Sequence, residues 1–435
     1  MSTGTRPGPT PKRGLGQYTA APSVHRPPST VYPNSPARIP PIDPYVHKSV
    51  SLRYSGREIR LDLSHGLFSS FDVDRGTRLL LKVLAGSALA EGARSLLDLG
   101  SGVGTLGIAL GSASPGLEVH FRDRDALAAA FSARNARANG LEPASWETGL
   151  TLTGLSGRRF DLIVSNIPAK AGLPVIRDFL LRLPGALTEG GRFALVVVNP
   201  IAPEVRAALA VSGAEILAEE TGPVHTAIAG GRGREIPPAA DELAVYERRR
   251  SDFELAGVRY ALSGYWGLPD FDTPSHAVAL AAGLCDRAAG GADIRSASIG
   301  NPGPGHGALY ACGRFGIERM RLVSRDCLQT TATLRNLAAA GLSPRVSVSD
   351  GLSDDKDAEE TFDLILEFPE PIPEFDWIGP LWDRASRSAR PGTILVAASR
   401  PTEAVRFDRR KPSGWIRSFE RKRDGFSGLV YLRQG

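Results

Sequence analysis

Hydrophobic and polar residues alternate with two different periods along this chain, and these periods predict both strands and helices. From Val46, the segment VHKSVSLRYSGREIRLDL alternates apolar and polar positions and turns at Ser55 and Gly56, which predicts a β-hairpin. Apolar residues between Leu79 and Leu84 recur at helical spacing, and an Ala-rich helix is predicted from Ala126 to Asn139. Short apolar runs lie between such helices: LLDL, LEVHF, FDLIV and RFALVVV. This alternation of strands and helices predicts an α/β fold with a mainly parallel sheet.

The run LLDLGSGVGTLG, residues 96–107, is where the pattern changes most sharply. A buried strand ends in glycines at positions 100, 102 and 104, and a helix follows. Glycines let the backbone approach a ligand closely, and the N–H groups that start the helix point into the same space. Gly102, Gly104 and Gly107 also spell the dinucleotide fingerprint GxGxxG. A dinucleotide such as NAD and a cofactor with a single nucleoside are therefore both candidates for this loop.

Polar residues end the next strands of the predicted sheet. Asp123 ends the second strand, where a carboxylate can accept both ribose hydroxyls of a nucleoside cofactor of either kind. The strand FDLIV leads into Asn166, Ile167 and Pro168. An asparagine oxygen and a neighbouring backbone carbonyl can hold the two N–H bonds of an amine, which leaves its lone pair aimed at a methyl donor. A dehydrogenase has no standing need for this arrangement, so the pattern favours methyl transfer to nitrogen.

Residues 61–230 resemble the small methyltransferase domain group of the class I S-adenosylmethionine-dependent methyltransferases. The resemblance rests on four pieces in order: GLFSSFDVDRGTRLLL, LDLGSGVG, Asp123 and SNIPAKAG. This group includes tandem-domain ribosomal RNA methyltransferases that act on the exocyclic amine of guanine. The resemblance implies a doubly wound Rossmann-like fold, S-adenosylmethionine as the cofactor and no metal.

The resemblance also implies roles for individual residues. Asn166, Ile167 and Pro168 are expected to hold the target amine. The expected cofactor-binding residues are Asp98, Gly100, Ser101, Gly102 and Gly104 at the methionine end, Asp123 at the ribose, and Arg124 and Gly149 beside the adenine.

The chain departs from the family pattern at two places. The fourth motif usually reads N-P-P followed by an aromatic or large apolar residue, whereas Ile167 and Ala169 stand here. A base-stacking platform is therefore missing, and Phe68, Phe71 and Trp146 are candidate replacements that are more commonly packing residues. After the third strand, where many members offer an acid or asparagine to adenine, the chain has Thr148, Gly149 and Leu150.

The second half repeats the first at a shift of about 200 positions. SRDCLQTTATLRNLAAAGL matches RDALAAAFSARNARANGL, and FDLILEFPEP matches FDLIVSNIPA. In this alignment Asp98 becomes Ser298, Asp123 becomes Ser324, and Asn166 falls on Glu367 or Phe368. Pro302 and Pro304 remove two N–H donors from the glycine loop. The fold is therefore predicted to be duplicated in tandem, with a degenerate second copy. In the tandem RNA methyltransferases the active copy is the C-terminal one, whereas here it is the N-terminal one.

Composition and charge set the domain boundaries. The chain has 435 residues and a formal net charge of +5. Residues 1–45 hold 11 of the 33 prolines and five basic residues against Asp43 alone, and are predicted to form a disordered basic tail. We expect a catalytic domain at 46–230, a linker at 231–250 and the degenerate domain at 251–435. Three cysteines without metal spacing, and no long apolar segment, favour a soluble protein of the cytoplasm.

The expected function is S-adenosylmethionine-dependent N-methylation of an exocyclic amine of an RNA base, with RNA or a ribosomal subunit as the partner. Three alternatives stay open on the sequence alone: a protein amide or small-molecule amine as the acceptor, a noncatalytic S-adenosylmethionine- or RNA-binding protein, and an NAD-dependent oxidoreductase.

Overall fold

The computed structural model describes residues 38–68, 71–352 and 360–435. Two seven-stranded mixed sheets, each preceded by a β-hairpin and flanked by helices, form the two halves of the molecule.

The first half opens with the hairpin predicted from the alternating pattern, which turns at Ser55 and Gly56. Its strands are β1 (Lys48–Tyr54), β2 (Arg57–Leu63), β3 (Ser95–Leu99), β4 (Glu118–Asp123), β5 (Ser145–Thr148), β6 (Phe160–Asn166), β7 (Leu187–Val198), β8 (Ile216–Thr221) and β9 (His225–Gly231). Its helices are α1 (Arg75–Ala85), α2 (Thr105–Ala113), α3 (Ala126–Ala138), α4 (Leu173–Arg182) and α5 (Ala202–Ser212).

The second half repeats this order element by element. Its strands are β10 (Glu247–Leu255), β11 (Val258–Tyr265), β12 (Ser296–Gly300), β13 (Arg319–Val323), β14 (Arg345–Ser349), β15 (Phe362–Glu367), β16 (Ala389–Ser399), β17 (Trp415–Arg423) and β18 (Phe426–Arg433). Its helices are α6 (His276–Ala289), α7 (His306–Phe315), α8 (Cys327–Ala339), α9 (Ile378–Arg387) and α10 (Pro401–Arg409).

The strand order fixes where a ligand can bind. The first sheet runs β5-β4-β3-β6-β7-β9-β8, and the second runs β14-β13-β12-β15-β16-β18-β17. The chain leaves β3 in one direction along the sheet and returns to its other side as β6, so a crevice opens where the carboxyl ends of these parallel strands diverge. Apolar layers cover both faces of each sheet, which explains why the central strands are continuous hydrophobic runs.

The two halves meet through the same segment of each copy. Asp125 and Asp326 form an isolated antiparallel bridge, with the N–H of Ala126 donating to the carbonyl of Arg325 at 2.8 Å. Arg124 pairs with Asp326 at 2.7 Å, and Arg325 pairs with Asp125 at 3.3 Å. Equivalent residues therefore exchange equivalent contacts, as they do across an isologous dimer interface.

Two predicted boundaries are corrected by the structure. Residues 1–37 of the predicted tail lie outside the described residues, but Ile42 is only 1% exposed and Tyr45 stacks on Phe375 with ring centroids 3.9 Å apart. The folded chain therefore begins before residue 46. The predicted linker also ends earlier than residue 250, because β10 starts at Glu247 and the guanidinium of Arg248 lies over the Trp266 ring. Ile42 packs in the core of the first half, and neither this burial nor the start of β10 is evident from the polar composition of the two segments.

Candidate active site

A cavity of about 320 Å³ lies in the crevice at the carboxyl ends of β3, β4 and β6. It brings together all the residues predicted to bind a cofactor or an acceptor except Gly104. Lining it are Asp98, Gly100, Ser101, Gly102, Asp123, Arg124, Gly149, Asn166, Ile167 and Pro168, while Gly104 starts α2 directly behind the loop.

The glycine loop owes its shape to left-handed backbone conformations. Gly100, Gly102 and Gly104 have φ angles of 70°, 57° and 86°, which side chains rarely permit. A Cβ on Gly100 or Gly102 would meet no atom within 4 Å, so these two residues give the cavity open backbone. A Cβ on Gly104 would lie 3.0 Å from the Cα of Ser132, so this glycine allows α3 to approach the loop.

Two acids face the loop: Asp98 is buried and Asp123 is half-buried. The Asp98 carboxylate accepts a hydrogen bond from the N–H of Gly107 at 2.8 Å, and burial raises its pKa to about 8, with a smaller contribution from the charge of Asp123. Asp123 accepts hydrogen bonds from the N–H groups of Gly102 and Asp125, each at 2.9 Å, and burial raises its pKa to about 6. A carboxylate has about four acceptor positions, so Asp123 retains capacity for two hydroxyl groups.

Asn166 is held in one orientation by α1. Its Nδ2 donates to Asp74 Oδ2 at 2.9 Å and to Thr77 Oγ1 at 3.1 Å. Asp74 is also the N-cap of α1 and accepts from the N–H of Thr77. Because the amide nitrogen is committed to α1, Oδ1 is the atom that Asn166 can offer to a hydrogen-bond donor in the cavity.

Three predicted cofactor residues have further partners. Arg124 lines the cavity, but its guanidinium donates to Asp326 and to the carbonyl of Gly267 at 3.0 Å, so its head group is directed to the second half rather than free for an adenine. A Cβ on Gly149 would lie 2.3 Å from the Arg122 guanidinium, so the absent side chain leaves room for a buried arginine. Ser101 accepts a hydrogen bond from the Ser132 hydroxyl at 2.8 Å.

The three candidate replacements for the aromatic platform differ in their burial and in their position relative to the cavity. Trp146 is buried in the core of the first half, so this candidate is wrong. Phe71 is not among the residues that line the cavity and packs on His65 instead. Phe68 lines the cavity and is 63% exposed, so it stands at the cavity mouth.

The end of the linker and the second half contribute residues that were not predicted from the sequence. Tyr246, Trp266 and Asp326 line the cavity of the first half. The Tyr246 hydroxyl bonds Thr151 at 2.9 Å, and the Trp266 ring packs on Gly172, just beyond Ala169. Asp74 and Thr77 were also missed, although an acid before a helical pattern is an N-cap signal. The contacts of Tyr246 and Trp266 join residues about 100 positions apart in the sequence, and such contacts leave no local sequence signal.

The equivalent crevice of the second half is smaller, with a volume of about 110 Å³. Glu367 fills it: this buried carboxylate meets Arg384 at 3.0 Å, and a Cβ on Gly300 would collide with it. Phe368 stands at the position of Asn166, because Asp161 and Asp363 accept equivalent N–H groups at the start of β3 and β12. The second copy therefore has neither the open loop nor the amide of the first.

The register of the two glycine loops corrects one assignment from the sequence. The N–H groups of Gly100 and Asn301 donate to the carbonyls of Arg122 and Val323, so the two loops align at a shift of 201. The counterpart of Asp98 is therefore Ile299 and not Ser298. A shift of one residue in a strand moves a side chain to the other face of the sheet. The sequence alignment therefore compared Asp98 with a side chain on the opposite face of β12.

The first cavity fits a nucleoside that carries a charged amino-acid end. Its glycine loop follows β3, Asp98 and Asp123 line it, and Leu150, Val175 and Ile176 form an apolar wall. Volumes of this order accommodate ligands of nucleoside size.

Comparisons with known proteins agree with this geometry. Residues 58–222 match the model of the methyltransferase small domain family. Ribosomal RNA small subunit methyltransferase C of Aeromonas hydrophila is 32% identical over 164 residues, which are 36% of this chain and 46% of that relative. Release factor glutamine methyltransferase of Xylella fastidiosa is 40% identical over 101 residues, 22% of this chain and 37% of that relative. The matched part thus spans less than half the length of either relative.

A solved structure matches both halves. It is the 16S rRNA N2 methyltransferase (RsmC) of T. thermophilus in complex with AdoMet and guanosine, with a TM-score of 0.64 and 20% identity over 90% of this chain and 99% of that chain. The predicted fold, a doubly wound Rossmann-like methyltransferase fold duplicated in tandem, is confirmed. The resemblance to the small methyltransferase domain group is confirmed as well. Within the described ranges, no helix is both long and apolar enough to cross a bilayer.

Proposed function

We propose that this protein, whose residues 58–222 match the methyltransferase small domain, is an S-adenosylmethionine-dependent N-methyltransferase that acts on an exocyclic amine of an RNA base. Ribosomal RNA is the proposed substrate, which would place the protein with ribosomes in the cytoplasm. The supporting similarities are the two-domain match to the T. thermophilus rRNA enzyme and the sequence match to the rRNA small subunit methyltransferases.

One observation carries the proposal. The oriented Asn166 carboxamide and the glycine loop with Asp123 line one cavity. In an aromatic amine the lone pair is delocalised into the ring, so the nitrogen reacts well only when both N–H bonds are held. Asn166 Oδ1 would accept from one N–H bond and the Ile167 carbonyl from the other, which aims the lone pair along the cavity.

The remaining residues would bind and orient the cofactor. S-adenosylmethionine, when bound, supplies a methyl group on a positively charged sulfur, with thioether as the leaving group. Asp98 would pair with an ammonium group, Asp123 would accept from ribose hydroxyls, and the start of α2 behind the glycine loop would face a carboxylate. Because the leaving group is good, the site mainly has to position its reactants. Tyr246 at the end of the linker and Trp266 of the second half would exclude water from the cavity.

Incubation with labelled methyl donor and separated pools of cellular RNA, protein and metabolites tests the proposal. We expect label in the ribosomal RNA pool. Asn166→Ala should reduce kcat about 100-fold, as loss of one oriented hydrogen-bonding group does in other sites, and should leave the cofactor Kd within about threefold. Asn301→Gly is the control, because it removes an asparagine side chain at the second half's counterpart of Gly100, where φ is 50°, and should retain full activity.

A second acceptor class has support of its own. The release factor glutamine methyltransferase is named for a protein amide, whose nitrogen also has a delocalised lone pair. Label in a protein band, with none in RNA, would establish this function in place of the first. Unlabelled pools together with no cofactor binding by calorimetry would contradict both and indicate a noncatalytic protein.

A further inference from the structure

The open end of the first hairpin brings two histidines together. The N–H of His47 donates to the carbonyl of Leu63 at 2.8 Å, one residue beyond the Lys48–Leu63 pair of the ladder. His47 and His65 therefore flank the point where the two strands separate. Their ring centroids are 3.6 Å apart with the planes inclined at 40°.

A carboxylate from the second half completes the cluster. Glu374 Oε2 lies 2.8 Å from His47 Nδ1 and 3.4 Å from His65 Nε2. The three ligand atoms lie within 4.8 Å of one another. Glu374 has a φ of 60°, which a glutamate adopts only when its surroundings require it.

The histidine nitrogens that face the carboxylate are buried without a hydrogen-bond partner among the described residues. Neither His47 Nδ1 nor His65 Nε2 meets hydrogen-bond geometry, and both atoms are inaccessible to solvent. The His65 side chain is 9% exposed, so it is about nine-tenths buried. A buried polar atom without a partner costs free energy, and a bound cation would remove that cost.

We propose that His47, His65 and Glu374 form a Zn²⁺ site that joins the two halves. Ligand atoms at about 2.0–2.1 Å from zinc in tetrahedral geometry are about 3.3 Å apart, which is close to the 2.8 and 3.4 Å between Glu374 Oε2 and the two histidine nitrogens. Two imidazole nitrogens select zinc over Mg²⁺ or Ca²⁺, which prefer oxygen ligands. The glutamate side chain is 68% exposed, so water has access to the fourth position.

The site has a structural consequence for the cavity. Gly66 follows His65 directly and lines the cavity, and its carbonyl accepts from Arg325 of the second half at 3.0 Å. Ile372, two residues before Glu374, packs against Gly66. Zinc would therefore fix the hairpin end, and the cavity wall next to it, to the second half. This inference does not rest on the proposed function.

Metal analysis of the full chain, produced without a histidine tag and treated with chelator, tests the site. After titration with ZnCl₂ and removal of free metal, we expect about one zinc per chain and a rise in the midpoint of thermal unfolding, because zinc binds the folded state. MgCl₂ at the same concentration should produce neither effect. His65→Ala and Glu374→Gln should each weaken zinc binding at least tenfold.

His276→Ala is the matched control, since His276 forms an exposed pair with Asp424 at 3.5 Å, and this variant should bind zinc like the parent chain. Glu374→Gln changes an exposed side chain by one atom, so it keeps the test informative if His65→Ala does not fold. Zinc binding that survives Glu374→Gln and His65→Ala would overturn the proposal. A parent chain that retains no zinc, with an unfolding midpoint unmoved by ZnCl₂, would show that the cluster is a histidine–glutamate ion pair.

Discussion

Asn166 shows how much of this site depends on one side chain and its supports. The residue at the end of β6 lines the cavity, but its orientation is set by Asp74 and Thr77, about 90 positions earlier. An asparagine without these partners could turn its amide nitrogen to the cavity and would then repel an amine instead of accepting from it. The second copy has Phe368 there, whose side chain offers no carbonyl oxygen to an amine.

Asp98 is predicted to lower the stability of the folded protein while it contributes to cofactor binding. Its pKa of about 8 in the folded protein exceeds the unfolded value of about 3.9, so the folded state holds its proton more tightly and stability falls as the pH rises from about 4 to 8. Asp98→Asn should therefore raise the free energy of unfolding by about 1–3 kcal/mol at pH 8, and the gain should shrink at pH 5.

Urea unfolding at the two pH values, followed by calorimetry with S-adenosylhomocysteine, measures both effects. Cofactor binding by Asp98→Asn should be at least tenfold weaker, since the carboxylate is the proposed partner of the ammonium group. A variant that is less stable than the parent at pH 8 would show that the buried carboxylate is stabilised by contacts stronger than the cost of burying it.

At the scale of elements, the start of α1 has two tasks. Asp74 caps the helix by accepting from the N–H of Thr77 at 3.2 Å, and the same Oδ2 atom accepts from Asn166. We expect Asp74→Ala to lower stability by about 1 kcal/mol through the lost cap. It should also lower kcat at least tenfold, with the cofactor Kd nearly unchanged.

Ser275→Ala provides the comparison for this prediction. Ser275 caps α6, the counterpart of α1, by accepting from the N–H of Val278 at 3.4 Å, and it is not among the residues lining the cavity. Thermal unfolding and single-turnover methyl transfer should show a similar stability loss in both variants but a rate loss only in Asp74→Ala. Equal rates would remove Asp74 from the positioning of Asn166.

At the scale of the whole molecule, the duplication places the second half where the first needs a wall. The reciprocal pairs Arg124–Asp326 and Arg325–Asp125 hold equivalent segments together. These interface contacts are symmetric, but the two cavities next to them differ. The first cavity is open and borders on Tyr246 and Trp266, whereas Glu367 and Arg384 occupy the second.

Asp326→Asn tests this interface. Asparagine preserves the N-cap of α8 but removes the negative charge next to Arg124, which leaves a partly buried cation without its partner. The Arg124–Asp326 pair is neither fully exposed nor fully buried, so its loss should lower the free energy of unfolding by about 1–3 kcal/mol. Glu142→Gln breaks the exposed pair with Arg137 and should leave the stability nearly unchanged. Chemical unfolding of both variants gives the comparison, and equal losses would contradict a special role for the interface.

The sequence by itself determined the elements, the duplication and the residues of the glycine loop, because these depend on local patterns. Apolar runs that end in glycine or in an acid specify strand, turn and helix start within about ten residues, and the repeat makes the same pattern visible twice. Gly100, Asp123 and Asn166 could be placed at one edge of a sheet for the same reason.

Only the tertiary structure decided what surrounds those residues. Asp74 behind Asn166, Trp266 beside Gly172, and Glu374 against His47 and His65 are contacts between segments about 90 to 330 positions apart, and each partner has an ordinary local sequence. The one-residue difference between Ser298 and Ile299 also became visible only through hydrogen bonds between strands. Contacts of this kind follow from how two sheets pack against each other, and hydrophobic periodicity carries no information about that packing.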